Sequence, residues 1–184
     1  NGIQIGEAIG NHLSNAQTRH QVRVDGDWRC AFSLWINGGS PADACSFFLH
    51  NDPRGTTYLG SPYGSCGLVG NSLKNAFGFG WYVYNSGNLD KMGLMNAGCS
   101  GFDFDTSFAA VPMRNNTLTH HVLEYDGEAK TFTVTMTNDA GGSVTQTYTD
   151  VAIPARVKDD YAWLAVGTGG GGVHAAVEFR RAGI

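Results

Sequence analysis

VRVDGDWRCAFSLWI, residues 22–36, decides how this chain folds. Trp28, Cys30, Phe32, Leu34 and Ile36 fall on one face at period two, and Arg29, Ala31, Ser33 and Trp35 fall on the other. An apolar side alternating with a wetter one is the pattern of a β-strand that buries one face against a core. The turn residues Asn37-Gly38-Gly39-Ser40-Pro41 follow, and then a second apolar run, Cys45-Ser46-Phe47-Phe48-Leu49-His50. Two strands joined by such a turn predict an antiparallel pair.

Outward from this pair, residues 51–70 carry Pro53, Gly55, Gly60, Pro62, Gly64, Gly67 and Gly70, too many breakers for a long helix. Residues 75–85, NAFGFGWYVYN, are aromatic and β-branched, and Met92-Gly93-Leu94-Met95 follows closely; both read as core strands. His121-Val122-Leu123-Glu124-Tyr125, the turn Asp126 to Lys130, and Thr131 to Thr137 form a predicted hairpin. In its second arm Phe132, Val134 and Met136 oppose a threonine face. Tyr161 to Val166 and Val173 to Phe179 flank a glycine tract, Gly167-Thr168-Gly169-Gly170-Gly171-Gly172, and predict another hairpin. A helical turn is admitted only near Gly6 to Leu13 or Pro154 to Lys158. With no repeat and no linker, the expectation is all-β: one antiparallel β-sandwich domain over residues 1–184.

Composition narrows the function. With 12 basic against 16 acidic residues and no basic stripe, the chain does not suit a phosphate backbone, so a nucleic-acid partner is excluded. No apolar run reaches the ~20 residues that span a bilayer. The four cysteines, Cys30, Cys45, Cys66 and Cys99, lack zinc-site spacing; they allow three disulfide pairings or buried free thiols. Asn115-Asn116-Thr117 satisfies the glycosylation sequon. A start at Asn1 fits a processed form or a piece of a longer chain equally well.

The order of short motifs resembles the legume and L-type lectins, the concanavalin A-like family. Pro41-Ala42-Asp43-Ala44 leads into Ser46-Phe47-Phe48-Leu49, then His50-Asn51-Asp52-Pro53-Arg54-Gly55, Leu59-Gly60 and Asn71-Ser72-Leu73. The aromatic strand ending at Asn85, His121 to Gly127, and Ala165 to Gly170 continue the series, which covers the chain from about Val22 onward. The resemblance implies a jelly-roll sandwich whose loops hold a sugar through Asp43, a backbone N–H at Gly64 and the amide of Asn85. Tyr63, Trp81 or Tyr84 would supply a stacking ring, and the Gly169-Gly170 loop would close the site. A sugar hydroxyl both donates and accepts, so a carboxylate, an amide and a backbone N–H together fix two adjacent hydroxyls.

The same resemblance implies calcium and a transition metal held by a Glu-x-Asp strand and a histidine. Here that strand reads Gly78-Phe79-Gly80-Trp81, and Lys91 stands at the histidine's place. With Asp90 as the one remaining carboxylate, the expectation is no metal and no other cofactor. Phe102-Asp103-Phe104-Asp105-Thr106 reads as an exposed acidic turn, with weak calcium binding at Asp103 and Asp105 as the alternative. No paired carboxylates and no Ser/His/Asp arrangement stand out for an enzyme, and His120-His121 reads as the beginning of a strand. The expected function is binding of a glycan or glycoprotein outside the cell. The alternative is a structural subunit of an extracellular filament, coat or adhesin, with self-association left open.

Overall fold

The computed structural model describes residues 2–6, 13–37, 44–57, 73–84, 90–113, 116–169 and 176–183. These form β1 (Gly2–Gly6), β2 (Leu13–Gln17), β3 (Val22–Arg23), β4 (Trp28–Asn37), β5 (Ala44–His50), β6 (Ala76–Tyr82), β7 (Lys91–Met95) and β8 (Phe102–Ser107). The chain continues with β9 (Leu118–Asp126), β10 (Thr131–Asn138), β11 (Ser143–Tyr148), α1 (Ile153–Val157), β12 (Tyr161–Gly169) and β13 (Ala176–Gly183). Six strands make one antiparallel sheet in the order β1-β13-β4-β9-β10-β11. The seven-stranded sheet runs β2-β12-β5-β6-β7-β8, with β3 also paired to β12.

The alternation in β4 is the reason the sheets stack. Its even-numbered residues from Cys30 to Ile36 are buried, as are Leu123 and Tyr125 of β9 and Phe132, Val134 and Met136 of β10. The seven-stranded sheet answers with Cys45, Phe47, Leu49, Phe77, Phe79 and Trp81. Rings meet across the gap: Phe77 and Phe132 at 5.0 Å between centroids, Phe32 and Trp81 at 6.0 Å, Trp28 and Phe47 at 5.9 Å. All of these rings but the partly buried Trp28 are buried, and each buried ring contributes about 2–3 kcal/mol, so this aromatic layer is a large part of the stability of the sandwich.

His121 lies in the same layer. Its ring stacks on Phe32 at 5.2 Å and meets Trp81 edge-on at 4.9 Å. Its Nε2 is 2.8 Å from Thr119 Oγ1, whose hydroxyl proton goes to the Leu34 carbonyl. The hydroxyl oxygen therefore accepts from Nε2–H, and the ring is neutral. Nδ1 is buried without a hydrogen-bond partner among the described residues, and burial pushes the pKa down to about 3.

Several expectations are corrected. β4 and β5 do not pair, because they belong to different sheets: β4 lies between β13 and β9, β5 between β12 and β6. β12 and β13 likewise belong to different sheets, so the glycine tract joins sheets rather than closing a hairpin. A run of turn residues signals that the chain reverses, not which sheet it enters next. Residues 102–107 are an edge strand, not a turn, and Ser143–Tyr148, unassigned from sequence, pairs with β10. Cys30, Cys45 and Cys99 are free thiols; Cys66 is outside the described residues. The predicted β9–β10 hairpin and the helical turn near Pro154 are present.

Candidate functional site

One row of paired residues crosses the end of the seven-stranded sheet. Gly169 of β12 is opposite Ala44 of β5, Ala44 opposite Tyr82 of β6, Tyr82 opposite Lys91 of β7, and Lys91 opposite Ser107 of β8. In the other sheet Ala176 is opposite Asn37. The residues that flank 38–43 and 170–175 are therefore paired in both sheets, Asn37 with Ala176 and Ala44 with Gly169. Segment 85–89 follows the same end of β6 after Val83 and Tyr84.

Of the predicted site residues, Gly169 ends β12 in this row, while Asp43, Tyr63, Gly64, Asn85 and Gly170 lie outside the described residues. Asp43 directly precedes Ala44, Gly170 directly follows Gly169, and Asn85 is three residues beyond Tyr82. Their anchors are brought together although they are far apart in sequence. Tyr63 and Gly64 lie in segment 58–72, which departs beyond His50 and returns before Ala76. Those two residues are paired at the opposite end of the sheet.

The aromatic supply differs from expectation. Trp81, a predicted stacking ring, is 0% exposed and belongs to the core. Strand parity sends Tyr82 to the outer face instead. There its half-buried ring meets Phe104 at 5.2 Å, and Phe104 stacks on Phe102 at 5.7 Å. This aromatic line along the outer face was missed because residues 102–107 were read as an acidic turn, although Phe102 and Phe104 alternate with Asp103 and Asp105.

With Phe77, Phe79 and Trp81 in the core, Gly78 and Gly80 occupy outward positions of β6, in the stretch set against the lectin Glu-x-Asp strand. A Cβ on Gly78 would touch Met95 at 3.4 Å. Phe48, Leu73, Ala76, Met95 and Ala165 form an apolar cluster over this part of the sheet. A thioether, glycines and alkyl groups cannot coordinate a hard cation that needs six to eight oxygens, so the residues present do not fit calcium here. Asp90 has a left-handed backbone (φ 54°), and its carbonyl accepts from Phe108 N–H at 2.7 Å. Asp103 and Asp105 are exposed on edge strand β8, and among the described residues no three His, Cys, Asp or Glu side chains converge.

A polar knot fixes the opposite end of the sheet. The buried Asp52 carboxylate accepts from Arg54 Nε at 2.6 Å and Nη2 at 2.7 Å, and from the backbone N–H groups of Arg54 at 3.0 Å and Lys74 at 2.9 Å. These bonds hold its pKa well below the usual carboxylate range. His50 is buried beside it. Nε2 donates to Gln17 Oε1 at 3.0 Å, Nδ1 accepts from Asp52 N–H at 3.3 Å, and burial lowers its pKa to about 4. Both ends of segment 58–72 are thus tied down at Asp52 and Lys74.

On the outer face of the six-stranded sheet, Ser33 Oγ lies 2.9 Å from His120 Nδ1, and His120 Nε2 lies 2.9 Å from Asp139 Oδ1. Nothing in the sequence brings this Ser/His/Asp arrangement out. The three residues come from β4, β9 and the turn after β10, and strand pairing alone makes them neighbours.

No family model matches the chain, and no curated protein matches it in sequence. Solved structures do match. The metal-free form of lectin I-B4 from Griffonia simplicifolia is 13% identical over 100% of this chain and 88% of its own, with a TM-score of 0.79. The Bauhinia forficata lectin in complex with GalNAc is 14% identical over 98% and 85%, at 0.81. Arcelin-5, a lectin-like defense protein from Phaseolus vulgaris, is 10% identical over 98% and 84%, at 0.78. The fold is the legume-lectin β-sandwich. No helix among the described residues is long and apolar enough to cross a membrane.

Proposed function

We propose that the chain is a carbohydrate-binding, lectin-like module that acts outside the cell and holds a glycan without metal at the loop-bearing end of the seven-stranded sheet. The observation that carries this reading is the row Gly169–Ala44–Tyr82, which anchors the segments containing Asp43, Asn85 and Gly170 next to one another. Asp43 and Asn85 would hold two hydroxyls, the backbone of Gly169 and Gly170 would admit the ring edge closely, and Tyr82 would offer an apolar face. Tyr63 and Gly64 join this site if their segment rises along the sheet. Fifteen residues provide roughly 50 Å of extended chain, against about 20 Å of strand height each way.

Gly78 and Gly80 support metal independence: neither offers a ligand, and a side chain at 78 would crowd Met95. On this reading the loops are held by packing and hydrogen bonds. The neighbours whose printed names include a bound sugar, such as the GalNAc complex of the Bauhinia lectin, support the ligand class. This site is assigned reversible binding and no catalytic step.

The test is a glycan array of the purified chain, run with and without EDTA and beside Asp43→Ala, with thermal melting to confirm that the variant folds. Binding that survives EDTA and disappears in folded Asp43→Ala supports the reading. Absence of binding to any glycan sinks it in favour of a structural subunit, and binding abolished by EDTA alone removes the metal-independent part.

A further inference from the structure

The Ser33–His120–Asp139 arrangement has a direction. Asp139 is a carboxylate and can only accept, so His120 must present Nε2–H to it. In the neutral ring Nδ1 then carries a lone pair, and the bond 2.9 Å away is Ser33 O–H donating to it. The hydroxyl is already aimed at a base, and the base is held in the required tautomer by a third group. A relay that activates a serine for nucleophilic attack has this polarity. Relative to the usual serine hydrolase relay the two ring nitrogens exchange places, which leaves the proton path unchanged.

The surroundings favour access. Ser33 and His120 are direct cross-strand partners on the middle strands of the sheet, which keeps their separation fixed. The His120 side chain is 40% exposed and that of Asp139 75%, and Ser33 beside them is half-buried, so the base is open to solvent and the hydroxyl partly so. Two residues along each strand the same face carries the pair Trp35 and Leu118 on one side and Ala31 and Val122 on the other. The nucleophile thus lies between two apolar rows, suited to a small acyl group and an apolar leaving alcohol. Arg180 holds the register position opposite Ser33 on β13.

We propose that Ser33 and His120 are the catalytic residues, and Asp139 the positioning residue, of a second site that cleaves esters of small carboxylic acids. Ser33 Oγ attacks the ester carbonyl and its proton passes to His120 Nδ1. The carbon–oxygen bond to the alcohol breaks, and the alcohol leaves with that proton. Water then attacks the acyl-serine, gives its proton to Nδ1, and releases the carboxylic acid with Ser33 restored. Acid, alcohol and enzyme account for every atom of ester and water.

The test treats the whole chain with a fluorophosphonate probe and, separately, with p-nitrophenyl acetate, and locates the adduct by peptide mass mapping. The expected result is a single adduct on Ser33, absent in Ser33→Ala. His120→Gln should slow labelling by roughly 10²-fold or more while the melting temperature changes little, because both side chains lie on the sheet's outer face. Asp139→Asn should slow the reaction and Asp139→Glu should restore it, a rescue that a merely structural role would not give. No adduct on Ser33, an adduct formed equally fast in His120→Gln, or acetyl found on His120 with Ser33 unmodified would each overturn the proposal.

Discussion

A Cβ added to Gly93 would stand 1.7 Å from the carbonyl oxygen of Asp103. Strand β8 therefore lies against β7 with no room for any side chain at this position. The cause is a bulge: Thr106 pairs with Met92 but Phe104 pairs with Gly93, leaving Asp105 as the extra residue. Through this bulge Phe104 reaches the outer face beside Tyr82, so Gly93 supports the aromatic line next to the proposed sugar loops.

Gly93→Ala should destabilise the fold by about 3 kcal/mol, since rigid backbone rather than a movable side chain would have to shift. Urea unfolding followed by tryptophan fluorescence checks this. A midpoint equal to that of the unaltered chain would mean that β8 is not held where the structure has it.

Acidification should unfold the protein before most carboxylates titrate. His50 and His121 are neutral when folded, with pKa values of about 4 and about 3 against 6.5 when unfolded. A lowered histidine pKa means that the unfolded state binds more protons. Their contribution is full above pH 6.5 and declines below it, by about 1.4 kcal/mol per pH unit for each ring, until the folded values are reached. Stability measured between pH 7 and 4.5 should fall with a slope approaching two protons, and His121→Phe should remove one of them. A flat profile would contradict the burial of both rings.

Asp52 titrates in the opposite sense. Its carboxylate is held below the usual range, so its contribution is present above pH ~4 and is lost as pH falls further toward the folded value. Asp52→Ala removes the acceptor of three Arg54 bonds, two from the guanidinium and one from the backbone, and of the Lys74 N–H. With Arg54 partly exposed and screened, the loss should be about 2 kcal/mol. Chemical denaturation at pH 7 gives the value. In the variant the portion of the acid transition below pH 4 should shrink.

Cys30 and Cys45 should resist native thiol reagents. Burial pushes their pKa up to about 11 and about 12, so neither exposure nor thiolate is available. Treatment with Ellman's reagent and mass mapping should leave both unmodified until denaturant is added, with half-buried Cys99 reacting first of the three. Early modification of Cys45 would show that the end of β5 opens readily.

Strand identity was largely legible because it is a local property. Alternation in residues 28–36 and 131–137 reads directly as one wet and one buried face, and those faces are the ones observed. Residues 102–107 were misread although Phe102-Asp103-Phe104-Asp105 alternates at the period of a strand: the two carboxylates were given more weight than the rings between them, and an edge strand buries those rings only partly. Trp81 was mistaken for a ligand-facing ring because it and Tyr82 are both aromatic and adjacent, and only the side of the sheet separates them. The site was legible as the order of loop motifs around Asp43 and Asn85, but not as a place.

By itself the sequence determined which residues could share a face, that residues 78 and 80 offer no carboxylate, and that the basic residues form no extended run. Only the tertiary structure decided which sheet each strand joins. Glycine turns after Asn37 and Gly169 permit either a hairpin or a crossing, and the choice depends on packing two complete sheets through Phe32, Trp81, Phe77 and Phe132. That choice aligns Gly169, Ala44 and Tyr82 at one end and sets Ser33 against His120 and Asp139 on the opposite sheet. Such neighbours are fixed by hydrogen-bond register between distant segments, a cooperative property of the assembled sheets that no local stretch of the chain contains.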